Sequence, residues 1–329
     1  MRRTTTILLA AVLLIATLVT PAFAAPKTNI IFAEVGWDSI RFHNAVAGTV
    51  AESVFGYTWE EISGSTPITY EALMSGAIDA HMEMWTDNLA SYVPDLEAGK
   101  FLELGVNFGD NAQGLYVPRY VIEGDAERGI EAVAPDLKTI EDLKKYASIF
   151  PDPESPGMGR IFGGIPGWEV TMILEKKVQA YGLDEMYNYV LPGSDAALSA
   201  AFVSALDRGQ PIVAYYWEPT WLMGMYDFVR LEDAPYDASN YLDGLSDFPS
   251  VRVTVCASND FYASNPEYCA FLAKYNTSSA LTSEALAHMQ ETGEDYVATA
   301  KWFLMAHDEL VDQWLDAEQA AKLRAALKE

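Results

Sequence analysis

Short apolar runs alternate with stretches of helical periodicity along most of the chain. Apolar or alternating runs rich in β-branched residues predict strands at residues 29–33, 59–62, 78–85, 115–121, 160–165, 211–214 and 251–256. Between them, apolar residues at spacings of three and four predict helices, as at Phe42, Val46, Val50 and Val54 after the first strand. This alternation is typical of an α/β fold with mostly parallel sheets flanked by helices.

The length of the chain, 329 residues, predicts two lobes, because one hydrophobic core rarely serves so many residues. Strands near residues 115–120 and 247–255 are the expected crossings between the lobes. We therefore assign residues 25–118 and 245–329 to the first lobe and residues 119–244 to the second. The ligand cleft is expected between them, and the two crossings are expected to act as a hinge.

The first 24 residues have the pattern of a secretory signal. Arg2 and Arg3 precede a mostly apolar run at residues 7–19, and Ala22-Phe-Ala24 has the small-residue pattern of a cleavage site. We expect cleavage after Ala24 and export of a mature, soluble protein to the periplasm.

The charge of the chain is strongly acidic, with 47 acidic residues against 21 Lys and Arg. The signal carries two of the arginines and no acid, so the mature net charge is near −28. Such a surface disfavours nucleic acid and anionic membranes as partners. We expect a soluble monomer.

Motifs for metal or nucleophilic catalysis are missing from the sequence. The four histidines are scattered without HExxH spacing, and no GxSxG, Walker or GxGxxG motif occurs, so we expect no cofactor, metal or catalytic residue. His81 alternates with Asp79 and Glu83 on one strand, where an acid–base pair or a hydrogen-bonded histidine would both fit. Cys256 and Cys269 could form a disulfide in an exported protein or remain buried and reduced.

Tryptophans stand repeatedly where predicted strands end. The run at residues 211–214 is followed by Tyr215, Tyr216 and Trp217, and Pro219 ends any strand there. That cluster alone fits a core edge as well as a ligand-facing wall. Three further tryptophans at strand ends or strand–helix junctions favour the wall, because the ends of parallel strands meet at one crevice: Trp37, Trp85 and Trp168.

We call Trp37, Trp85, Trp168 and Trp217 the tryptophan cage. Indole faces that enclose one space suit a quaternary ammonium group, which donates no hydrogen bond and is held by cation–π attraction. The helix predicted after Trp168 begins with the free backbone N–H groups of Trp168, Glu169 and Val170, which suit an anion. Cage and helix start together fit a methylated zwitterion.

Several short sequence motifs resemble those of the binding proteins for glycine betaine, proline betaine and choline, which are the substrate-binding subunits of osmoprotectant-type ABC importers. The resemblance covers roughly residues 28–275. The motifs are Gly76-Ala-Ile-Asp79, Glu83-Met-Trp85, Asn111-Ala-Gln-Gly114, Thr139-Ile-Glu-Asp-Leu143, Pro166-Gly-Trp168-Glu and Tyr216-Trp217-Glu-Pro-Thr-Trp221.

The resemblance implies a two-lobed periplasmic binding protein, type II-like, that closes on its ligand and docks on a membrane permease. It implies cage roles for Trp85, Trp168 and Trp217, with Trp37 as the extra wall of the choline-binding branch. It also implies a carboxylate contact from the backbone amides of Glu169 and Val170.

The chain differs from the family pattern in two places, and these differences leave the identity of the ligand undetermined. Some betaine binders carry a histidine four residues beyond the first cage tryptophan, where this chain has Leu89. Glu169 and Glu218 place acids beside two cage tryptophans, which would favour a cation without a carboxylate if they face the cage. The alternatives are a binding protein for an amino-acid-like or sulfonate zwitterion, and a secreted enzyme.

Overall fold

The computed structural model describes residues 26–328. The predicted signal and its cleavage after Ala24 lie outside the described residues. Two five-stranded sheets, each flanked by helices, form the described chain, and this confirms the predicted two-sheet α/β fold.

The first sheet has the strand order β2-β1-β3-β10-β4. Strand β1 pairs in parallel with β2 and β3, whereas β10 lies antiparallel between β3 and β4. Its strands are β1 (Asn29–Glu34), β2 (Thr58–Ser63), β3 (Ala80–Trp85), β4 (Leu102–Phe108) and β10 (Val253–Ala257).

The second sheet has the order β7-β6-β8-β5-β9. Strand β6 pairs in parallel with β7 and β8, and β5 lies antiparallel between β8 and β9. Its strands are β5 (Gln113–Pro118), β6 (Gly159–Phe162), β7 (Tyr187–Val190), β8 (Ala214–Trp217) and β9 (Phe228–Arg230). Both sheets are therefore mixed, because each receives one antiparallel strand that follows a crossing from the other half of the chain.

Thirteen helices pack on these sheets in the described part of the chain. They are α1 (Asp38–Val50), α2 (Thr66–Met74), α3 (Tyr92–Glu97), α4 (Arg119–Glu123), α5 (Glu169–Ala180), α6 (Asp195–Arg208), α7 (Trp221–Met225), α8 (Asn259–Ser264), α9 (Pro266–Leu272), α10 (Ser279–Thr292), α11 (Tyr296–Ala306), α12 (Asp308–Trp314) and α13 (Ala317–Ala326). None of them is long and apolar enough to cross a membrane.

The boundary between the two halves differs from the prediction in one place. The sequence analysis assigned residues 113–118 to the first lobe, but this strand hydrogen-bonds within the second sheet, with Gln113 opposite Trp217. The first crossing therefore precedes Gln113. The rest of the lobe division stays a prediction.

Two large apolar clusters stabilise the halves. One contains Phe32, Phe42 and Trp314 and is built from the first sheet and the C-terminal helices. The other joins residues of both sheets, among them Trp37 and Trp217, and so runs across the region between the halves. Cys256 and Cys269 are both buried and free, which answers the disulfide question left open by the sequence.

Candidate ligand-binding site between the two sheets

An aromatic cavity lies where the two sheets face each other. It encloses about 620 Å³ of space between atoms, its open mouth included. Residues from both halves line it, and they include all six residues predicted from the sequence: Trp37, Trp85, Trp168, Glu169, Val170 and Trp217.

Trp37 and Trp168 reach the cavity through the same local structure in the two halves. Each is the residue before the first turn of a helix, α1 or α5, and has an extended backbone there. Each follows a glycine with positive φ, Gly36 at 92° and Gly167 at 94°. A side chain would be strained at these φ values, so glycine permits the sharp entry that places each indole at the helix start.

Trp85 and Trp217 reach the cavity as the last residues of β3 and β8. Their strands lie inside the two sheets, β3 beside β10 and β8 beside β5. The side chains therefore project from the carboxyl ends of central strands, which is where α/β sheets commonly bind ligands.

Three of the four indoles of the cage lie close together, with their rings nearly at right angles. The ring centroids of Trp37 and Trp168 are 5.3 Å apart with an angle of 89° between the rings, a contact that joins the two halves. Those of Trp168 and Trp217 are 5.0 Å apart at 82°. Tyr215 stacks on Trp217 at 5.9 Å and also lines the cavity, so a fifth aromatic ring belongs to its wall.

The first turn of α5 opens towards the same cavity. Among the described residues, the backbone N–H groups of Glu169 and Val170 have no hydrogen-bond acceptor. The N–H of Trp168, which the sequence predicted to be free, donates instead to the carbonyl of Ile165 at 3.1 Å, and the N–H of Thr171 donates to the carbonyl of Trp168. These free donors and the positive end of the helix dipole attract negative charge. They lie beside the indole of Trp168.

Glu83 also lines the cavity, although it was not assigned to the site from the sequence. It is fully buried, and its Oε1 accepts hydrogen bonds from Trp37 Nε1 at 3.0 Å, Trp85 Nε1 at 2.9 Å and Ser39 Oγ at 3.0 Å. Burial raises the pKa of Glu83 to about 7, against the effect of these donors, which lower it. One carboxyl group thus contacts two tryptophans of the cage.

The histidines near Glu83 are buried and neutral around pH 7. Burial lowers the pKa of both His43 and His81 to about 3. His81 lines the cavity and its Nδ1 accepts the backbone N–H of Glu83 at 3.3 Å, while His43 Nδ1 contacts the Tyr275 hydroxyl at 2.8 Å.

Glu169 and Glu218, the two acids next to cage tryptophans in the sequence, lie in different places. Glu169 is half-buried and lines the cavity, whereas Glu218 lines a separate surface groove and accepts a hydrogen bond from the Tyr116 hydroxyl at 3.4 Å. Leu89 lines the cavity at the position where some betaine binders have histidine. Glu83 precedes Trp85 by two residues and so shares its face of the strand, but no local signal in the sequence shows that this face is buried.

Two α/β halves around one aromatic cavity define a two-lobed substrate-binding protein. Residues 28–306 match the family described as the substrate binding domain of ABC-type glycine betaine transport system, and the chain belongs to that family. It is therefore a substrate-binding component of such a transport system rather than a member of an enzyme family.

Relatives of known name share about a quarter of their residues with this chain. The trimethylamine N-oxide-binding protein of Pelagibacter ubique is 25% identical over 287 residues, which are 85% of this chain and 88% of that protein. The glycine betaine/proline betaine-binding periplasmic protein of Escherichia coli is 24% identical over 316 residues, covering 85% and 90%.

Solved structures share the fold at lower identity. An ABC-transporter choline-binding protein in complex with choline has a TM-score of 0.71 at 20% identity, covering 91% of this chain and 98% of that chain. The glycine betaine/L-proline-binding protein ProX of Borrelia burgdorferi has a TM-score of 0.70 at 22% identity, covering 90% and 99%.

Proposed function

We propose that this chain binds a small quaternary ammonium compound in the tryptophan cage and delivers it to a membrane permease. One observation supports this most: indoles from both halves meet around one cavity, with Trp168 5.3 Å from Trp37 and 5.0 Å from Trp217. The relatives named above bind glycine betaine, proline betaine or trimethylamine N-oxide according to their names, and all three carry a methylated nitrogen.

The energetics of the cage agree with this ligand class. A desolvated indole face contributes ~2 kcal/mol to the binding of a cation, so three or four rings supply roughly 6–8 kcal/mol. A micromolar site requires about 8 kcal/mol. The cage would thus provide most of the affinity, and polar groups such as the first turn of α5 would provide the rest.

The lining of the cavity disfavours the alternative ligands. Amino-acid-like and sulfonate ligands are usually held by arginine or by several hydroxyl groups. Among the described residues that line this cavity there is no Arg or Lys, and the hydroxyl groups come from Thr66 and Tyr215 alone. A ligand whose charge is carried by a methylated nitrogen fits this lining better.

The proposed mechanism is closure of the two halves on the ligand. A cation that contacts rings of both halves binds the closed form more tightly than the open one, so it shifts the population towards closure. The closed, monomeric protein then docks on the permease and releases the ligand chemically unchanged. Export to the periplasm after cleavage at Ala24 belongs to the same proposal.

A thermal-shift screen tests the ligand class. The mature protein is heated with glycine betaine, proline betaine, choline, carnitine and trimethylamine N-oxide, and with glycine and taurine as unmethylated controls. A true ligand at a free concentration of 100 times its dissociation constant raises the free energy of unfolding by about 2.7 kcal/mol. Stabilisation by at least one methylated compound and by neither control is expected. Stabilisation by taurine or glycine alone would contradict the proposal.

A further inference from the structure

We propose that Glu83 positions two tryptophans of the cage and sets its specificity, so that the cavity prefers a cation without a carboxylate over a methylated zwitterion. This inference rests on the proposed function and deepens it. It starts from one buried carboxyl group on β3 that contacts both cage tryptophans of the first half, Trp37 and Trp85.

The positioning role follows from the hydrogen bonds of Glu83 Oε1. Trp37 comes from the start of α1 and Trp85 from the end of β3, so no backbone pairing fixes their rings relative to each other. Both indole N–H groups donate to the same oxygen, at 3.0 and 2.9 Å. The N–H group lies on the edge of the indole ring. An oxygen that accepts from both N–H groups therefore fixes the direction of both ring edges, and with it the direction in which both ring faces point.

The specificity role follows from the charge balance around Glu83. Its Oε2 is buried and has no hydrogen-bond partner among the described residues. The titratable groups around it are the neutral imidazoles of His43, with Nε2 at 4.0 Å from Oε2, and of His81 on the same strand, and the Tyr275 hydroxyl beyond His43. Asp195 on α6, whose pKa burial raises to about 7, shares a neighbouring pocket with Trp37, Ser39 and Trp217. Among the described residues that line the cavity, the only other acid is Glu169.

No cation of the described cavity lining offsets these acids, since the lining has no Arg or Lys. A cationic ligand would supply the missing positive charge. A zwitterion also carries a carboxylate, and this negative charge would reduce the favourable electrostatic energy of binding.

Ligand binding should therefore be coupled to ionisation of Glu83. The pKa of about 7 means that a carboxyl group is about nine-tenths ionised at pH 8 and about one-tenth at pH 6. A cation in the cage favours the ionised form, so its binding releases a proton at pH 6–7. Choline affinity is expected to be about tenfold weaker at pH 6 than at pH 8.

Glu83→Gln separates charge from shape, because the amide oxygen can still accept both indole N–H groups. Glu218→Gln is the matched control: it makes the same change next to a cage tryptophan, but outside the cavity. Calorimetric titrations with choline and glycine betaine at pH 6 and 8 are the measurement, repeated in two buffers of different ionisation enthalpy to count protons.

In Glu83→Gln we expect the ratio of choline to glycine betaine affinity at pH 8 to fall at least fivefold and the pH dependence for choline to vanish. Glu218→Gln should match the wild type. The indole N–H resonances of Trp37 and Trp85, assigned with Trp→Phe variants, should titrate with pH in the wild type and not in Glu83→Gln.

Two failures are distinguishable. If the wild-type protein binds no methylated amine, the proposed function fails. If the wild type binds choline or glycine betaine but Glu83→Gln shows the same affinity ratio and pH profile, the function stands and the role of Glu83 is refuted. Indole resonances that do not move with pH in the wild type would refute the positioning contact.

Discussion

Trp217 connects the cage to the core of the second half. It is almost fully buried and packs against Trp168, Tyr215 and Tyr216. Its neighbour Tyr216 turns the other way and packs on Phe202, as alternation along a strand requires. The ring is thus held rigidly, so a cation bound against it would lose little free energy in ordering it.

Trp217→Ala should weaken binding of the preferred quaternary amine at least tenfold, which is about 1.4 kcal/mol, because one desolvated ring face is lost. Trp302→Ala is the control: its indole stacks on His288 at 3.8 Å and lines another groove. Titration calorimetry measures both. Unchanged affinity in Trp217→Ala would remove this ring from the site.

The tryptophans could be predicted from the sequence, whereas the part played by Glu83 could not. Strand ends and Gly-Trp pairs before helices are local signals, and Trp37, Trp85, Trp168 and Trp217 carry them. Glu83 lies in a strand that alternates apolar and polar residues, a pattern that usually marks one solvent-facing side. In the structure both faces of β3 are covered and residues 80–84 are buried, so the polar side faces the cavity region and buried partners instead.

At the scale of elements, the start of α5 contributes three of the six predicted site residues. Trp168 directly precedes its first turn, Glu169 and Val170 begin that turn, and Lys177 fixes the middle of the helix. The Lys177 ammonium and the Asp233 carboxylate are both fully buried and pair with each other. Lys177 also donates to the Ser246 carbonyl at 2.6 Å, and the Tyr181 hydroxyl donates to Asp233.

Asp233→Ala should therefore lower the free energy of unfolding by about 3–5 kcal/mol, because it leaves the Lys177 charge buried without its partner. Asp243→Ala breaks the exposed pair with Lys176 on the same helix and should cost at most about 1 kcal/mol. Urea denaturation compares the two variants. Equal losses would show that the buried pair does not hold α5.

Seven of the ten strands were predicted from periodicity, and β4, β7 and β9 were missed. Strand pairing could not be predicted. A run such as residues 113–118 has the apolar centre Leu115-Tyr-Val117 whichever sheet it joins, so its sequence does not tell which sheet that is. The sequence also does not tell whether two strands pair in parallel or antiparallel. The alternation of strands and helices therefore led to the expectation of mostly parallel sheets. Long-range hydrogen bonds, such as those between β5 and β8, decide both.

At the scale of the whole molecule, the site exists because two halves meet. Trp37 and Trp85 come from the first sheet and its connections, and Trp168 and Trp217 from the second. The halves also touch through the Tyr241 hydroxyl, which donates to Asn88 Oδ1 at 2.8 Å. A ligand held by all four rings would bridge the halves, and its positive charge would be the main source of affinity.

The most direct measurement removes the positive charge of the ligand while keeping its shape. For whichever quaternary amine binds, titration calorimetry compares it with the isostere in which carbon replaces the ammonium nitrogen, for choline 3,3-dimethylbutan-1-ol. Loss of cation–π attraction at several desolvated rings predicts at least hundredfold weaker binding, about 2.7 kcal/mol. Equal binding of the neutral isostere would mean that the cavity recognises shape alone and would contradict the cage.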